Sequence, residues 1–241
     1  MIIRCIDLET LGLQADDGVC ELGWCDVVVG ENGAGEIVEP PRSVLINPGK
    51  PIPPSASAVH HIVDADVAGA ATLEDAVRDI TCDEAAMRGE VVLCAHNARF
   101  EQQFIKDETM RWICSYKVAV TLAPNAPEHK LQTLRYWAKL AVDHALANPP
   151  HRAAADAYIC AALVVRLLSK MTLEQMIEVS AKPVLLPRFT FGKHAMQPLN
   201  VVPDSYLQWV IGNIDDDEDV LYTAKTNLAQ RRAAQRSRSP V

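Results

Sequence analysis

The sequence predicts an α/β fold, a mixed sheet flanked by helices on both faces. Three observations carry that prediction. The chain opens on a short apolar run, Ile2-Ile3 and Cys5-Ile6, of the kind that makes a buried strand. Further strand-like segments follow in a meander. The second half then alternates one more buried apolar segment, Val91 to Cys94, with helical stretches that include the alanine-rich Ala153 to Lys170.

The 241 residues suffice for one large domain plus an appendage. Hydrophobic residues make up 49% of the chain but aromatics only 5%, so aliphatic side chains and alanine must fill the core. No apolar run reaches the length of a membrane span, and the N-terminus has no basic-then-apolar leader pattern. The seven cysteines are odd in number and sit mostly in apolar surroundings, which reads as buried, reduced thiols in a cytoplasmic protein. No Cys/His spacing suits zinc. A net charge of −8 argues against a generalist nucleic-acid binder. It does not exclude a nucleic-acid substrate, because bound divalent cations would offset acid locally.

Taken in order, the first strand ends in two carboxylates, Asp7 and Glu9. Residues two apart on a strand share a face, so both acids project together. Two like charges there repel unless a cation lies between them, and oxygen ligands of this kind suit magnesium or manganese. Glu21 to Val29 reads as a second strand, Gly30 to Gly35 as a hairpin turn, and Ser43 to Ile46 as a third strand. Prolines 48, 51, 53 and 54 then impose an ordered loop. Ser57 to Val67 is a helical or loop segment, and Leu73 to Met87 has helical spacing. Val91 to Cys94 is a buried strand running into His96-Asn97, where Asn97 is placed to cap a helix over Ala98 to Asp107. Trp112 to Cys114 reads as a short strand, and Lys117 to Leu122 and Leu131 to Ala147 read as helices. Pro149 and Pro150 stop the chain before His151 and the long helix. Thr172 to Val179 is a small helix, and Pro183 and Pro187 bracket a linker. Phe189 to Asn213 is a compact stretch with aromatics. An acidic run from Asp215 and an arginine-rich end read as a flexible tail. The expected organisation is a domain over 1–170, a linker over 171–187, a small module over 188–214 and a tail over 215–241.

Glu101, His151 and Asp156 complete the candidate site. Alone, Glu101 would pass as a helix-surface acid and His151 as a helix-start histidine. Together with Asp7 and Glu9 they give four carboxylates and an imidazole. Such a set holds two hard cations while leaving room for a phosphate oxygen and a water. Histidine, with an unperturbed pKa near ~6.5, suits a proton acceptor at neutral pH.

That joint pattern resembles the DEDD (DnaQ-like) 3′→5′ exonuclease superfamily, histidine subtype. Asp7 and Glu9 match its D-x-E motif. His96-Asn97-Ala98-Arg99-Phe100-Glu101 matches H-N-A-x-F-D, and His151 with Asp156 matches H-x-x-x-x-D. The resemblance covers residues 1–170. It implies a ribonuclease-H-like sheet, two Mg²⁺ or Mn²⁺ ions, a histidine base, and release of nucleoside 5′-monophosphates from a DNA 3′ end, single-stranded or overhanging. It implies no membrane and leaves a homodimer open. Phe189-Thr190-Phe191-Gly192-Lys193-His194 and Tyr206-Leu207-Gln208-Trp209 resemble the C-terminal appendage of the exodeoxyribonuclease X branch. One departure is Glu101 itself, where the family has aspartate. Its extra methylene moves the carboxylate by about 1.5 Å.

Thr10, Leu11, Leu13 and Gln14 follow the first acids and belong at the rim, with Leu11 and Leu13 placed to pack on a terminal base. His60, in a V-H-x-I pattern, matches a loop histidine of the family and is expected along the phosphate path. Asn97 and Phe100 complete the substrate-binding candidates. Arginines 231, 232, 236 and 238 are placed either to touch a phosphate backbone or to solubilise a tail. The enzymatic alternative is an RNA-trimming enzyme of the ribonuclease T type. The non-enzymatic one is a nucleic-acid-binding module whose catalysis is weakened at Glu101.

Overall fold

The computed structural model describes residues 1–237. Arg238 and the rest of the expected tail beyond 237 lie outside them. The described chain divides into two compact units, residues 1–118 with 127–181, and residues 119–126 with those from 182 onward.

The first unit is built on a mixed sheet in the order β3-β2-β1-β5-β6, with β4 also paired to β2. Strand β1 (Ile2–Thr10) lies antiparallel to β2 (Val19–Val29) and parallel to β5 (Val91–Ala95), which is parallel to β6 (Trp112–Cys114). Short strands β3 (Gly35–Ile37) and β4 (Arg42–Leu45) pair antiparallel with β2. The helices are α1 (Pro54–His60), α2 (Asp64–Val67), α3 (Leu73–Thr81), α4 (Glu84–Met87), α5 (Ala98–Phe104), α6 (Ser115–Leu122), α7 (Leu131–Trp137), α8 (Ala153–Leu168) and α9 (Leu173–Ser180). Among the described residues no helix is long and apolar enough to cross a membrane.

Alternation along β1 sorts its side chains. Ile6 and Leu8 join a core with Leu22, Leu93 and, from α3, Ala76 and Ile80. The opposite face carries Cys5, Asp7 and Glu9. Helix α8 covers that face: Cys5, Cys94 and Cys160 meet in a fully buried thiol cluster. Asp156 is one helical turn before Cys160, so it shares that stripe of α8. The apolar packing of Cys5 on Cys160 therefore sets Asp156 over the acidic end of β1. All seven cysteines are free thiols and only Cys82 is exposed.

Several segments depart from expectation. Strand β1 runs through both acids to Thr10. Proline at its first turn starts α1 at Pro54, earlier than the loop reading allowed. The Leu73 to Met87 segment breaks into two helices at Cys82, because Asp83 caps a second start through Ala86 N–H. Helix α7 ends at Trp137, not Ala147. Lys139 takes a left-handed φ of 50°. The Leu140 and Lys139 N–H groups donate back to Arg135 and Tyr136, satisfying the last carbonyls.

The second unit holds α10 (Asp204–Asn213) and α11 (Glu218–Arg236) after a short 3-10 turn at Leu199–Val201. Phe189, Leu207, Val210 and Ala224 are fully buried within it. Asp219 and Thr223 of α11 accept the Val184 and Leu186 N–H groups, tying down the proline linker. Gly192 has a φ of 69°, and a Cβ there would strike the Tyr206 hydroxyl. Tyr206 is buried as expected of a packing residue, but its stacked neighbour Trp209 is half exposed. The expected flexible tail is instead α11, a correction with a clear cause. Asp217 caps the helix, Glu218 and Asp219 fill its first turn, and Arg236 lies in its last. That distribution complements the helix dipole. Arg231 is not a free cation: it pairs with Asp204 at 2.6 Å and donates to the Val202 carbonyl.

Candidate active site

Strand β1 delivers Asp7 and Glu9, α8 delivers Asp156, and α5 delivers Glu101. Ligand oxygens of Asp7, Glu9 and Asp156 lie within 4.8 Å of one another. Glu101 stands beside this trio rather than in it, close enough that its charge raises the pKa of Asp7. The four acids are poorly solvated. Burial pushes the pKa of Asp7 well above its usual range, and Asp156, Glu9 and Glu101 push it further. Burial, then Asp156, raises Glu9 to about 8. Burial raises Glu101 to about 8 as well, and Asp156 is raised chiefly by burial. A cluster of this kind holds protons unless cations replace them.

Partners distinguish the four. Asp156 is already oriented: Gln132 Nε2 donates to one oxygen at 2.7 Å and the His151 N–H to the other at 2.8 Å. Glu101 is 5% exposed, and its Oε2 has no hydrogen-bond partner. An orphaned buried carboxylate oxygen is costly and calls for a ligand. The donor set therefore fits divalent cations: hard carboxylate oxygens from three elements, raised proton affinities, and one oxygen left over. Asp7, Glu9 and Asp156 would hold such an ion, and Glu101 faces a place beside it.

His151 is exposed, with a left-handed φ of 59°. It sits two residues before α8, and its only hydrogen bond among those described is the N–H bond to Asp156. His96, by contrast, is locked. Its Nε2 faces the His129 carbonyl at 2.7 Å, so that nitrogen carries the hydrogen, and Nδ1 accepts from the Ser115 hydroxyl at 3.0 Å. A neutral ring fits the burial-lowered pKa. His96 thus braces the turn that leads to Glu101.

Substrate candidates divide. Leu13 is 76% exposed and Gln14 is exposed, as rim residues should be. Thr10 is half-buried, and its hydroxyl donates to the Gly12 carbonyl at 2.7 Å. Leu11 is a correction: it is buried with Cys20, Ile52, Ile62 and Val67, because the strand continues past Glu9. His60 is also a correction. It is 1% exposed, its Nδ1 accepts the Ile62 N–H, and its Nε2 faces the Cys20 thiol at 3.6 Å, so it packs and does not line a path. Asn97 occupies the cap position of α5 but makes no side-chain cap bond, leaving an exposed amide. Phe100 is half-buried against Phe104, ring edge to ring.

Two residues of the site escaped the sequence reading. Glu21 of β2 is 1% exposed and is ion-paired to Arg152, the residue after His151. Burial would raise its pKa, but the bonds from Arg152, Ser43 and Ala153 outweigh that and hold it low. Gln132, from α7, is the other. Nothing in its sequence context pointed to it.

The chain is similar to known exonucleases. The RNase T family model, described as exonuclease, matches residues 5–164. Exodeoxyribonuclease 10 of Escherichia coli (strain K12) is 34% identical over 219 residues, covering 89% of this chain and 92% of its own length. The DNA polymerase III subunit epsilon of Treponema pallidum (strain Nichols) is 30% identical over 175 residues, 68% of this chain and 74% of that one. A solved structure of exonuclease X in complex with 5′ overhanging duplex DNA matches with a TM-score of 0.60 at 34% identity. It covers 74% of this chain and 99% of that one.

Proposed function

This chain belongs to the RNase T exonuclease family, and on that premise we propose that it hydrolyses DNA from the 3′ end to nucleoside 5′-monophosphates. The convergence of Asp7, Glu9 and Asp156 beside the unsatisfied Glu101 oxygen is the observation that carries the proposal. We read residues 1–170 as the exonuclease domain and residues 188–214 together with α11 as an appended module. DNA is favoured because two likenesses at 34% identity are to a protein named exodeoxyribonuclease 10 and to an exonuclease X solved with 5′ overhanging duplex DNA.

Asp7, Glu9, Asp156 and Glu101 would hold two Mg²⁺ or Mn²⁺ ions. When bound, such ions neutralise phosphate charge, acidify a water and stabilise the departing oxygen. The chain's own residues do the rest. Asp156 is held by Gln132 and by the His151 N–H, so its oxygens are fixed before substrate arrives. His151 accepts the proton of the attacking water, from an exposed ring with no competing partner. Leu13 presents an apolar face to the last base, and Asn97 offers an uncommitted amide to the strand.

The deciding experiment digests DNA and matched RNA, labelled at the 3′ or the 5′ end, with and without Mg²⁺. Metal-dependent release of the 3′ label from DNA as a mononucleotide is expected. Early loss of the 5′ label, or equal cleavage in chelator, would overturn the reading. Faster trimming of RNA would move the chain to the ribonuclease T type.

A further inference from the structure

We propose that Glu21 and Arg152 are positioning residues for His151: the pair fixes where the imidazole stands relative to the metal-binding carboxylates. The inference rests on the reading of His151 as the base.

Four donors converge on the Glu21 carboxylate. Ser43 Oγ donates to Oε1 at 2.7 Å and Arg152 Nη2 to the same oxygen at 2.9 Å. Arg152 Nε donates to Oε2 at 3.0 Å and the Ala153 N–H at 3.1 Å. The guanidinium is thus held as a two-pronged fork, which fixes direction as well as distance. The Ala153 N–H is one of the first amides of α8, a group with no partner inside its own helix. Its acceptor comes from β2, so a strand caps the helix.

The cap has a geometric consequence. Glu21 and Gly23 are two apart on β2 and share a face. The register sets Glu21 opposite Glu9 and Gly23 opposite Asp7. A Cβ at Gly23 would overlap the Ala153 backbone, so the start of α8 rests directly on the strand there. One strand pair therefore carries the two metal-binding acids on β1 and, on β2, the two contacts that seat α8. His151 precedes Arg152 by one residue. Its left-handed backbone is a conformation that is strained for a non-glycine residue. Its imidazole has no hydrogen bond of its own among the described residues, so its placement is inherited from Arg152 on one side and from its N–H bond to Asp156 on the other. An ion pair between a buried Glu21 and a partly exposed Arg152 is a weak source of stability. Fixed direction is what this pair provides and apolar packing would not.

A double-mutant cycle tests the proposal. Arg152→Lys keeps the charge and the Ala153 cap but loses the fork. It should lower kcat by about tenfold, with KM and the Mg²⁺ activation midpoint unchanged. Ser43→Ala removes one donor from a solvent-facing edge that does not threaten folding, and should cost about threefold. In a His151→Ala background, neither change should cost anything further, since there is no imidazole left to place. If the costs persist in that background, the pair is a general scaffold and the proposal is overturned alone. If His151→Ala retains full activity, the base reading fails and this inference falls with it.

Discussion

Two glutamates are buried beside β1, and they are held in opposite ways. Glu21 has four donors and a pKa held below the ordinary carboxylate value. Glu101 has an orphaned oxygen and a pKa raised to about 8. The difference separates scaffold from ligand. A buried carboxylate satisfied by protein donors is finished without a cation; one left unsatisfied is costly until a cation arrives. Burial alone would have scored the two as equivalent. Partners tell them apart.

Removing the shared centre gives the largest expected effect. Asp7 faces Glu9, Asp156 and Glu101 together, and all three raise its pKa. Asp7→Ala should abolish metal-dependent hydrolysis. It should also raise the melting temperature of the metal-free protein, because it relieves repulsion among acids. Detectable Mg²⁺-dependent cleavage in pure Asp7→Ala protein would sink the assignment, and a lower metal-free melting temperature would show that Asp7 has structural partners of its own.

Glu101→Gln is the sharper break in the comparison. The amide keeps the volume but weakens a hard-cation site. A loss of about a hundredfold or more in kcat is expected, in the range of removing a major transition-state contact. Isothermal titration should show weakened binding of one ion. Full activity in Glu101→Gln would make the orphaned oxygen a packing accident and return the glutamate to the status of a core residue.

The same contrast predicts a pH dependence of stability. Glu9 and Glu101 rise from an ordinary 4.5 to about 8 in the folded, metal-free chain. The folded state then binds protons that the unfolded state has released. Their contribution is full below about pH 4.5 and is lost as pH rises through about 8. Glu21 runs the other way: its pKa is lowered, so its contribution holds at neutral pH and is lost in acid, as pH falls through its folded value. The metal-free protein should therefore lose melting temperature from pH 5.5 to pH 8.5. Mg²⁺ should restore more at pH 8.5 than at pH 5.5, since at low pH the ion must first displace protons. At about 100 times its Kd the ion should add roughly 2.7 kcal/mol. A metal-free melting curve flat across this range would remove the basis for treating Glu101 and Glu21 as different in kind.

Sequence made one half of this comparison legible and hid the other. Asp7 and Glu9 were readable because strand periodicity alone puts residues two apart on one face. Glu101, His151 and Asp156 were readable as motif positions, although nothing local says that α5 and α8 converge. Glu21 was invisible because its role depends on the register of β2 against β1 and on where α8 lands, both long-range facts. The same limit explains Leu11 and His60. Each sits among polar or loop-like neighbours in sequence but is buried by segments distant in sequence, Leu11 by Ile52, Ile62 and Val67 and His60 by Cys20. Helix α11 failed for a different reason. Its blocks of like charge look disordered when counted, and look helical once their order along the dipole is considered. The end of α7 rests on Lys139 in a left-handed turn, a conformation that lysine does not advertise.

The smallest effect expected at the metal-binding carboxylates is also the most discriminating. Glu101→Asp restores the residue of the family motif and shortens the arm by about 1.5 Å. If α5 and its neighbours are shaped around the longer side chain, the shorter carboxylate will sit back from the cations. Activity should then fall by about tenfold, or ~1.4 kcal/mol in barrier. The shift should be smaller with Mn²⁺ than with Mg²⁺, because Mg²⁺ demands stricter octahedral placement. The structure favours loss over gain. Glu101 is packed at the buried start of α5, and the turn before it is braced by His96 on Ser115 and His129. Retracting the carboxylate would leave a gap that these anchors cannot close. A gain in kcat with Mg²⁺ would mean the reverse, that the glutamate overreaches and the native chain is a weakened exonuclease. Either result leaves Glu21 unmoved, because its donors come from β4 and α8 and none from α5.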